Sequence, residues 1–173
     1  MKIFLTGAHS TGKTTLAKAL SERLGLPLLP EVARRVLTEK GLTFPVPSER
    51  VNEVQSAIIA KQWDVFRDAP NSYVSDRFLD FHAYSTVYGG RMSDIFPIEY
   101  RSWFRDASVF SLPVRRDMFV TDAIRGPSEF DDALRIDGAL MMLYQMHGIP
   151  VRRIKSSSVE SRVEEVLAVI GVK

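Results

Sequence analysis

The chain has 173 residues, of which 45% are hydrophobic and 25% charged, with 23 Lys and Arg against 21 Asp and Glu. These proportions exclude a disordered chain, a collagen-like fibre and a coiled coil, and a formal net charge of +2 does not by itself select nucleic acid or a membrane as partner. With no cysteine there is no disulfide, thiolate metal site or cysteine nucleophile, which agrees with a reducing, cytoplasmic setting.

In chain order, Lys2 to Thr6 predicts a short buried strand running into Gly7-Ala8-His9-Ser10-Thr11-Gly12-Lys13-Thr14. Leu16, Ala19, Leu20 and Leu24 then recur at helical spacing from about Lys13, and Gly25 with Pro27 ends that helix. Leu26 to Leu29 reads as a weak second strand. Glu31 opens a helical piece with Val32, Val36 and Leu37 apolar. The Pro-rich stretch at Pro45 and Pro47 is too short to divide domains.

Asn52 to Asp68 predicts a longer helix, and Asn71 to Asp76 a turn followed by a strand. Phe78 to Tyr88 is helical and aromatic, stopped by Gly89-Gly90, and Ile98 to Asp106 reads as helix. Val109 to Leu112 predicts a strand, with a further one expected at Met118 to Thr121. Ser128 with Asp131 resembles a capping box for a helix that ends at His147-Gly148. Pro150 to Ile154 is the last strand. Ser157 and Glu160 repeat the capping pattern before a helix with Val163, Val166, Leu167 and Ile170 as its stripe.

Short continuous apolar strands alternating with helices predict a three-layer α/β/α sandwich on a mostly parallel five-stranded sheet. No apolar run approaches the roughly 18 residues needed to cross a bilayer, and Ile3-Phe4-Leu5 is far too short for a signal-peptide core. There is no internal repeat or long linker. The expectation is one domain over residues 1–173, with a lid-like region at about 113–136, and no membrane partner.

Gly7 to Thr14 matches G-x-x-x-x-G-K-[ST] in full and sits between a predicted strand and helix, the setting of a P-loop NTPase. Glycines allow backbone N–H groups to wrap a phosphate, and the following helix aims its positive end at the same anion. Gly7, Ser10, Thr11, Gly12, Lys13, Thr14 and Thr15 are therefore the nucleotide-binding residues. Lys13 reaches the β- and γ-phosphates of ATP, and the Thr14 hydroxyl ligates Mg²⁺. His9 reads as a solvent-facing bystander, because the x positions of such a loop offer mainly backbone.

A switch GTPase needs D-x-x-G and N-K-x-D, which are missing. A ring ATPase needs Asp-Glu after an apolar strand, and Tyr73-Val74-Ser75-Asp76-Arg77 lacks the glutamate. A small kinase remains, in which a second substrate replaces water.

Asp76-Arg77-Phe78 is similar to the Asp-Arg-aromatic motif of thymidylate kinases and resembles the Glu-Arg-Ser motif of deoxynucleoside kinases. The whole chain looks more like the small kinase and ATPase domains related to nicotinamide riboside kinase. That likeness is carried by Gly7 to Thr15, Pro30 to Arg34, and Asp122 to Asp137 with Arg125, Asp131, Arg135 and Asp137. The resemblance implies a carboxylate near the acceptor hydroxyl at Glu31. It implies that Asp76 orients that hydroxyl, takes its proton or holds a magnesium water, and that Arg77 contacts acceptor or phosphate oxygens. It places Arg125 and Arg135 in the lid, neutralising the transferring phosphoryl group.

Other readings compete for the same residues. Glu31 and Arg34, one helical turn apart, are spaced to pair, as are Arg135 and Asp131 or Asp132. Arg115-Arg116 is lid or surface. Phe78, Phe81, Tyr84, Tyr88, Trp63 and Trp103 read mainly as packing, and His82 and His147 have no metal-ligand spacing. Ser156 to Ser158 reads as a helix cap.

The function expected is ATP- and Mg-dependent transfer of the γ-phosphoryl group to a hydroxyl or phosphate of a nucleoside-like or nucleotide acceptor. One alternative acceptor is DNA, at a strand end or a hydroxyl-bearing modified base, gripped by Arg115, Arg116, Arg125, Arg152, Arg153 and Lys155. Another is a non-catalytic nucleotide-binding regulator. The sequence does not fix the oligomeric state.

Overall fold

A computed structural model describes residues 1–43, 46–77, 79–89, 106–119 and 130–172. Five strands, β1 (Lys2–Thr6), β2 (Leu28–Leu29), β3 (Tyr73–Ser75), β4 (Ala107–Ser111) and β5 (Val151–Arg153), form one sheet in the order β2-β3-β1-β4-β5. Every pairing is parallel. The chain therefore crosses over the sheet between strands, and the crossovers are helices.

Among the described residues six α-helices do this: α1 (Lys13–Leu24), α2 (Val32–Glu39), α3 (Val51–Arg67), α4 (Asp80–Val87), α5 (Phe130–Met146) and α6 (Val159–Ile170). Short 3₁₀ turns lie at Ser48–Arg50 and Arg116–Met118.

The side-chain alternation of the central strand splits the core into two. Ile3 and Leu5 of β1 point to one face, where they join Val74, Phe110, the apolar side of α1, and Val163, Val166 and Leu167 of α6. Phe4 points to the other face, with Tyr73, Val109 and the buried sides of α2, α3, α4 and α5. Phe4 makes edge contacts with Phe66 and Tyr73 at centroid distances of 5.6 Å each. Apolar burial on both faces explains why the strands read as continuous hydrophobic runs.

Several expectations shift in position. The capping serine of α6 is Ser158, not Ser157: its side chain accepts from the Ser161 N–H at 3.1 Å. The aromatic helix starts at Asp80, two residues after the predicted Phe78. Of the strand expected at Met118 to Thr121, Met118 ends a 3₁₀ turn begun at Arg116 and Phe119 lies in no regular element; Val120 and Thr121 lie outside the described residues. So do most of the predicted helix from Ile98, with Trp103, and Phe78, Arg125 and Ser128.

Parallel order places all strand C-termini along one edge. The register runs Phe4↔Ser75, Leu29↔Ser75 and Thr6↔Ser111, so Gly7, Glu31, Asp76 and Leu112 leave the sheet close together. The strand order also puts β1, which carries the phosphate loop, between β3 and β4, at the edge where open α/β sheets place ligands.

Candidate active site

The loop from Gly7 to Gly12 takes the backbone its glycines permit. Gly7 has φ +143° and Gly12 φ +87°, while Ser10 is the non-glycine residue at positive φ, +58°. A Cβ at Gly7 would stand 2.6 Å from the Leu112 carbonyl oxygen, so this position is closed to any side chain on both steric and conformational grounds. Gly12 caps α1 without a side-chain bond, leaving the first-turn N–H groups of that helix to face the loop. Lys13 is buried and its ammonium donates to the carbonyls of Gly7 at 2.8 Å and Ala8 at 2.6 Å, spanning the loop. Thr11 donates to the Ala8 carbonyl at 3.0 Å, while Thr14 and Thr15 are exposed on the first turn of α1.

Asp76 joins this loop to β3. The Thr14 hydroxyl donates to Asp76 Oδ2 at 2.8 Å. Asp76 is 3% exposed, and its Oδ1 is buried with no hydrogen-bond partner. A buried carboxylate oxygen left open beside a hydroxyl is a donor set of the hard, oxygen-only kind that suits Mg²⁺. Such an ion takes most of its remaining ligands from phosphates and water, so the residues present fit it.

Arg77 faces the other way. Its guanidinium donates through Nη2 to Glu31 Oε1 and through Nη1 to Asp80 Oδ2 at 3.3 Å. Burial opposes the charge of Arg77, but Glu31, Asp80, Tyr84 and Asp76 outweigh it and hold the group protonated well beyond the ordinary arginine range. Glu31 is the residue preceding α2, carried there by Pro30 at the end of β2. The pairing of Glu31 is thus to Arg77 across two strands, at a sequence distance of 46 residues, a contact that local helical spacing does not reveal.

Four further residues join the site that sequence spacing did not single out. Asp80 is 3% exposed at the start of α4, and its Oδ1 accepts from Thr6 at 2.5 Å. Thr6 also meets the Tyr144 hydroxyl from α5. Arg162 is 2% exposed and bonds the Thr11 carbonyl at 3.1 Å and the Ser156 carbonyl at 3.0 Å, tying α6 and the loop after β5 to the phosphate loop. Burial, with Arg115 nearby, lowers its pKa. The available signal for Arg162 was its place on the apolar stripe of α6, one residue before Val163 and four before Val166. For Asp80 it was its place as the one acid between Phe78 and Tyr88, in an aromatic-rich helix.

His9 is not the solvent-facing bystander expected. It is 3% exposed, with Nδ1 3.3 Å from the Tyr84 hydroxyl and its ring 5.7 Å from that of Phe119. Phe119 in turn packs edge-on against Phe130 at 5.5 Å, and the Arg116 guanidinium lies 4.5 Å above the Phe130 ring. A ring facing Tyr84 and Phe119 is drawn inward by apolar and polar contacts together, which the loop pattern alone does not encode.

Several of the basic residues gathered by sequence are held in ion pairs. Arg135 is exposed and pairs with Asp132 at 3.3 Å. Arg115 pairs with Asp117 at 2.8 Å and Arg153 with Asp137 at 2.6 Å. Arg152 and Lys155 are exposed, Arg152 on the edge strand β5. Arg125 lies outside the described residues. Among the described residues no cluster of three or more His, Cys, Asp or Glu could hold a metal on its own, and no helix is long and apolar enough to cross a membrane.

Comparison with solved structures shows the same fold at low identity. Deoxyadenosine kinase from M. mycoides, with dCMP and dCDP bound, is 14% identical at a TM-score of 0.69, with 99% of each chain covered. NadR protein in complex with NAD and AMP-PNP is 17% identical at 0.71, covering 99% of this chain and 50% of that one. Shikimate kinase from Acinetobacter baumannii, with shikimate, is 14% identical at 0.57, covering 98% and 92%. No curated protein sequence matches the chain. A family model described as an AAA domain does match, although Arg77 stands here where a ring ATPase would place glutamate after its aspartate. That match runs over residues 2–162, most of the chain, and the protein therefore belongs to this family of P-loop domains, built on the fold of the small kinases.

Proposed function

We propose that the protein is an ATP- and Mg-dependent kinase that transfers the γ-phosphoryl group to a hydroxyl of a nucleoside-like acceptor. The observation that supports this most is the split between two consecutive residues: Asp76 is bonded to Thr14 of the phosphate loop, while Arg77 is bonded to Glu31 and Asp80 on the opposite side. A nucleotide site and an acceptor wall thus share the end of β3.

In this reading the loop N–H groups and Lys13 bind the β- and γ-phosphates, and Thr14 with Asp76 holds the metal. Mg²⁺, when bound, neutralises charge on the β- and γ-phosphates. With one Asp76 oxygen already turned to Thr14, Glu31 is the carboxylate left to accept the acceptor proton. The acceptor oxygen bonds to the γ-phosphorus, the bond from phosphorus to the β–γ bridging oxygen breaks, and ADP leaves. Most of the rate gain comes from holding these groups in line and from positive charge at the phosphoryl group. Lys13 supplies that charge, with Arg125 proposed to add to it from the lid. Arg135, paired with Asp132 on the surface, is left out.

The charge of the wall favours a hydroxyl over a phosphate acceptor. Glu31, Asp76 and Asp80 face the single guanidinium of Arg77, a balance of −2, or −1 once Asp76 serves the metal. A monophosphate would bring two further negative charges to this side.

The test is to incubate the protein with Mg²⁺, γ-labelled ATP and a panel of nucleosides, nucleoside monophosphates and a 5′-hydroxyl oligonucleotide. Label should enter nucleosides. Label in monophosphates or strand ends would reassign the acceptor, and slow hydrolysis with no transfer to any compound would leave a nucleotide-binding regulator as the reading.

A further inference from the structure

On the kinase reading above, on which its functional meaning rests, Arg77 belongs to the acceptor wall and is held there by buried neighbours. Asp80 is shared among Arg77, Thr6 and Tyr144. Its Oδ2 accepts from Arg77 Nη1 at 3.3 Å, and its Oδ1 accepts from Thr6 Oγ1 at 2.5 Å and from the Tyr144 hydroxyl at 3.5 Å. Thr6 Oγ1 and the Tyr144 hydroxyl also touch each other. All three side chains are buried: Thr6 is 0%, Asp80 3% and Tyr144 2% exposed.

Counting protons fixes the direction of this chain. A carboxylate only accepts, so the single Thr6 proton goes to Asp80. The phenol of Tyr144 is the remaining donor, and it reaches both Asp80 Oδ1, at 3.5 Å, and the lone pairs left on Thr6 Oγ1. Burial, with the charge of Asp80, raises the Tyr144 pKa well above the usual phenol value, which favours the protonated phenol as donor. Tyr144 and Thr6 therefore donate toward Asp80 from one side, and Arg77 donates to it from the other. Each link sits on a different element: α5, the last residue of β1, the first residue of α4, and the turn after β3. Thr6 directly precedes Gly7, so the root of the phosphate loop and the arginine of the acceptor wall are fixed by the same hydrogen bonds.

We propose that Tyr144 is a positioning residue of this site, which through Thr6 and Asp80 aims the Arg77 guanidinium at Glu31 and sets the acceptor wall in register with the phosphate loop. It touches neither nucleotide nor acceptor in this role. The ring of Tyr144 also packs in the core, so removing only its hydroxyl separates the two contributions.

The experiment uses the full chain labelled with ¹⁵N in arginine, the Arg77 signals being assigned by their loss in Arg77→Lys. In the wild type the two Nη resonances should be resolved and Nε–H exchange slow, as for a guanidinium held on two sides. In Tyr144→Phe the Nη resonances should merge and exchange should accelerate about tenfold, the effect of one net hydrogen bond. The affinity for AMP-PNP with Mg²⁺, measured by calorimetry, should change by less than about twofold, because the loop backbone and Lys13 are untouched. Thr6→Ser, which keeps the hydroxyl, should retain the wild-type Arg77 spectrum, and Thr6→Val should reproduce Tyr144→Phe. An Arg77 spectrum unchanged in Tyr144→Phe overturns the proposal, as does a spectrum that follows loss of AMP-PNP binding in all three variants. The two readings fail separately. If Tyr144→Phe loosens Arg77 but Arg77→Lys transfers label to nucleosides as the wild type does, the relay stands and the acceptor role of Arg77 falls. If Arg77→Lys abolishes transfer while Tyr144→Phe leaves Arg77 fixed, the relay falls and the kinase reading stands.

Discussion

In the kinase reading Lys13 and Asp76 serve the same reaction at different moments, and single substitutions should separate them. Lys13 reaches across the loop and, in the kinase reading, meets charge that develops on the γ-phosphate. Lys13→Ala should lower kcat about a hundred- to a thousandfold, as loss of one preorganised donor does, with ATP affinity reduced much less. Steady-state kinetics at saturating ATP measures this, and an unchanged rate would remove Lys13 from the chemistry. Asp76→Asn keeps the shape but gives up the charge beside Thr14. Transfer should fall far more than metal-free nucleotide affinity, and raised Mg²⁺ should recover part of the rate. At this scale the sequence was most legible where chemistry and backbone geometry coincide, as in Gly7, Gly12, Lys13 and Thr14. It was least legible for His9, Asp80, Tyr144 and Arg162, whose partners lie 75, 74, 138 and 151 residues away. No window of local spacing holds both ends of such a bond.

The elements explain why those distant partners meet. Helices α1 and α6 share one face of the sheet, so Arg162 is carried to the Thr11 carbonyl by the packing of Val163, Val166 and Leu167 against the core. The helix is held at its start by Ser158, whose oxygen accepts from Ser161. Ser158→Ala should cost about 1 kcal/mol of stability, the usual worth of a lost N-cap, and lower the midpoint of thermal unfolding by about 2–4 °C. Differential scanning calorimetry reads this, and a midpoint equal to the wild type would mean the cap contributes nothing. On the outer strand β5, exposed Arg152 and Arg153 lie along an open sheet edge. Charge there discourages edge-to-edge pairing with other chains, which accounts for the basic pair without a nucleic-acid groove. Sequence alone groups this pair with the other basic residues as a grip on DNA, because a short strand shows its charges but not which edge of the sheet it will occupy.

Across the whole molecule, pH acts through a histidine outside the site. His82 is fully buried on α4, and burial together with the nearby His147 pushes its pKa down to about 4. The unfolded chain binds that proton near pH 6.5 and the folded chain does not, so stability is complete above about 6.5 and falls as pH drops toward 4. The loss reaches at most roughly 3 kcal/mol, from about 1.4 kcal/mol for each unit between the two values. Urea unfolding from pH 7.5 to 4.5 should show this decline, and His82→Leu should flatten it. An equal decline in both proteins would assign acid sensitivity to the carboxylates instead.

By itself the sequence determined the phosphate-loop motif, the alternation of strands and helices, and hence a parallel α/β sheet with that loop at its edge. These are local or periodic properties: glycine conformations, 3.6-residue and two-residue repeats, and a lysine at fixed distance from the loop. Tertiary structure alone decided which carboxylate faces which partner. Glu31 turned to Arg77 because β2 and β3 end at the same edge. Arg135 stayed on the surface with Asp132, while Arg162, on the apolar side of α6, was buried against the phosphate loop. Thr6, Asp80 and Tyr144 met because strand order, not sequence order, sets which helix ends share the C-terminal edge of the sheet. Buried polar groups must find partners wherever the fold brings them.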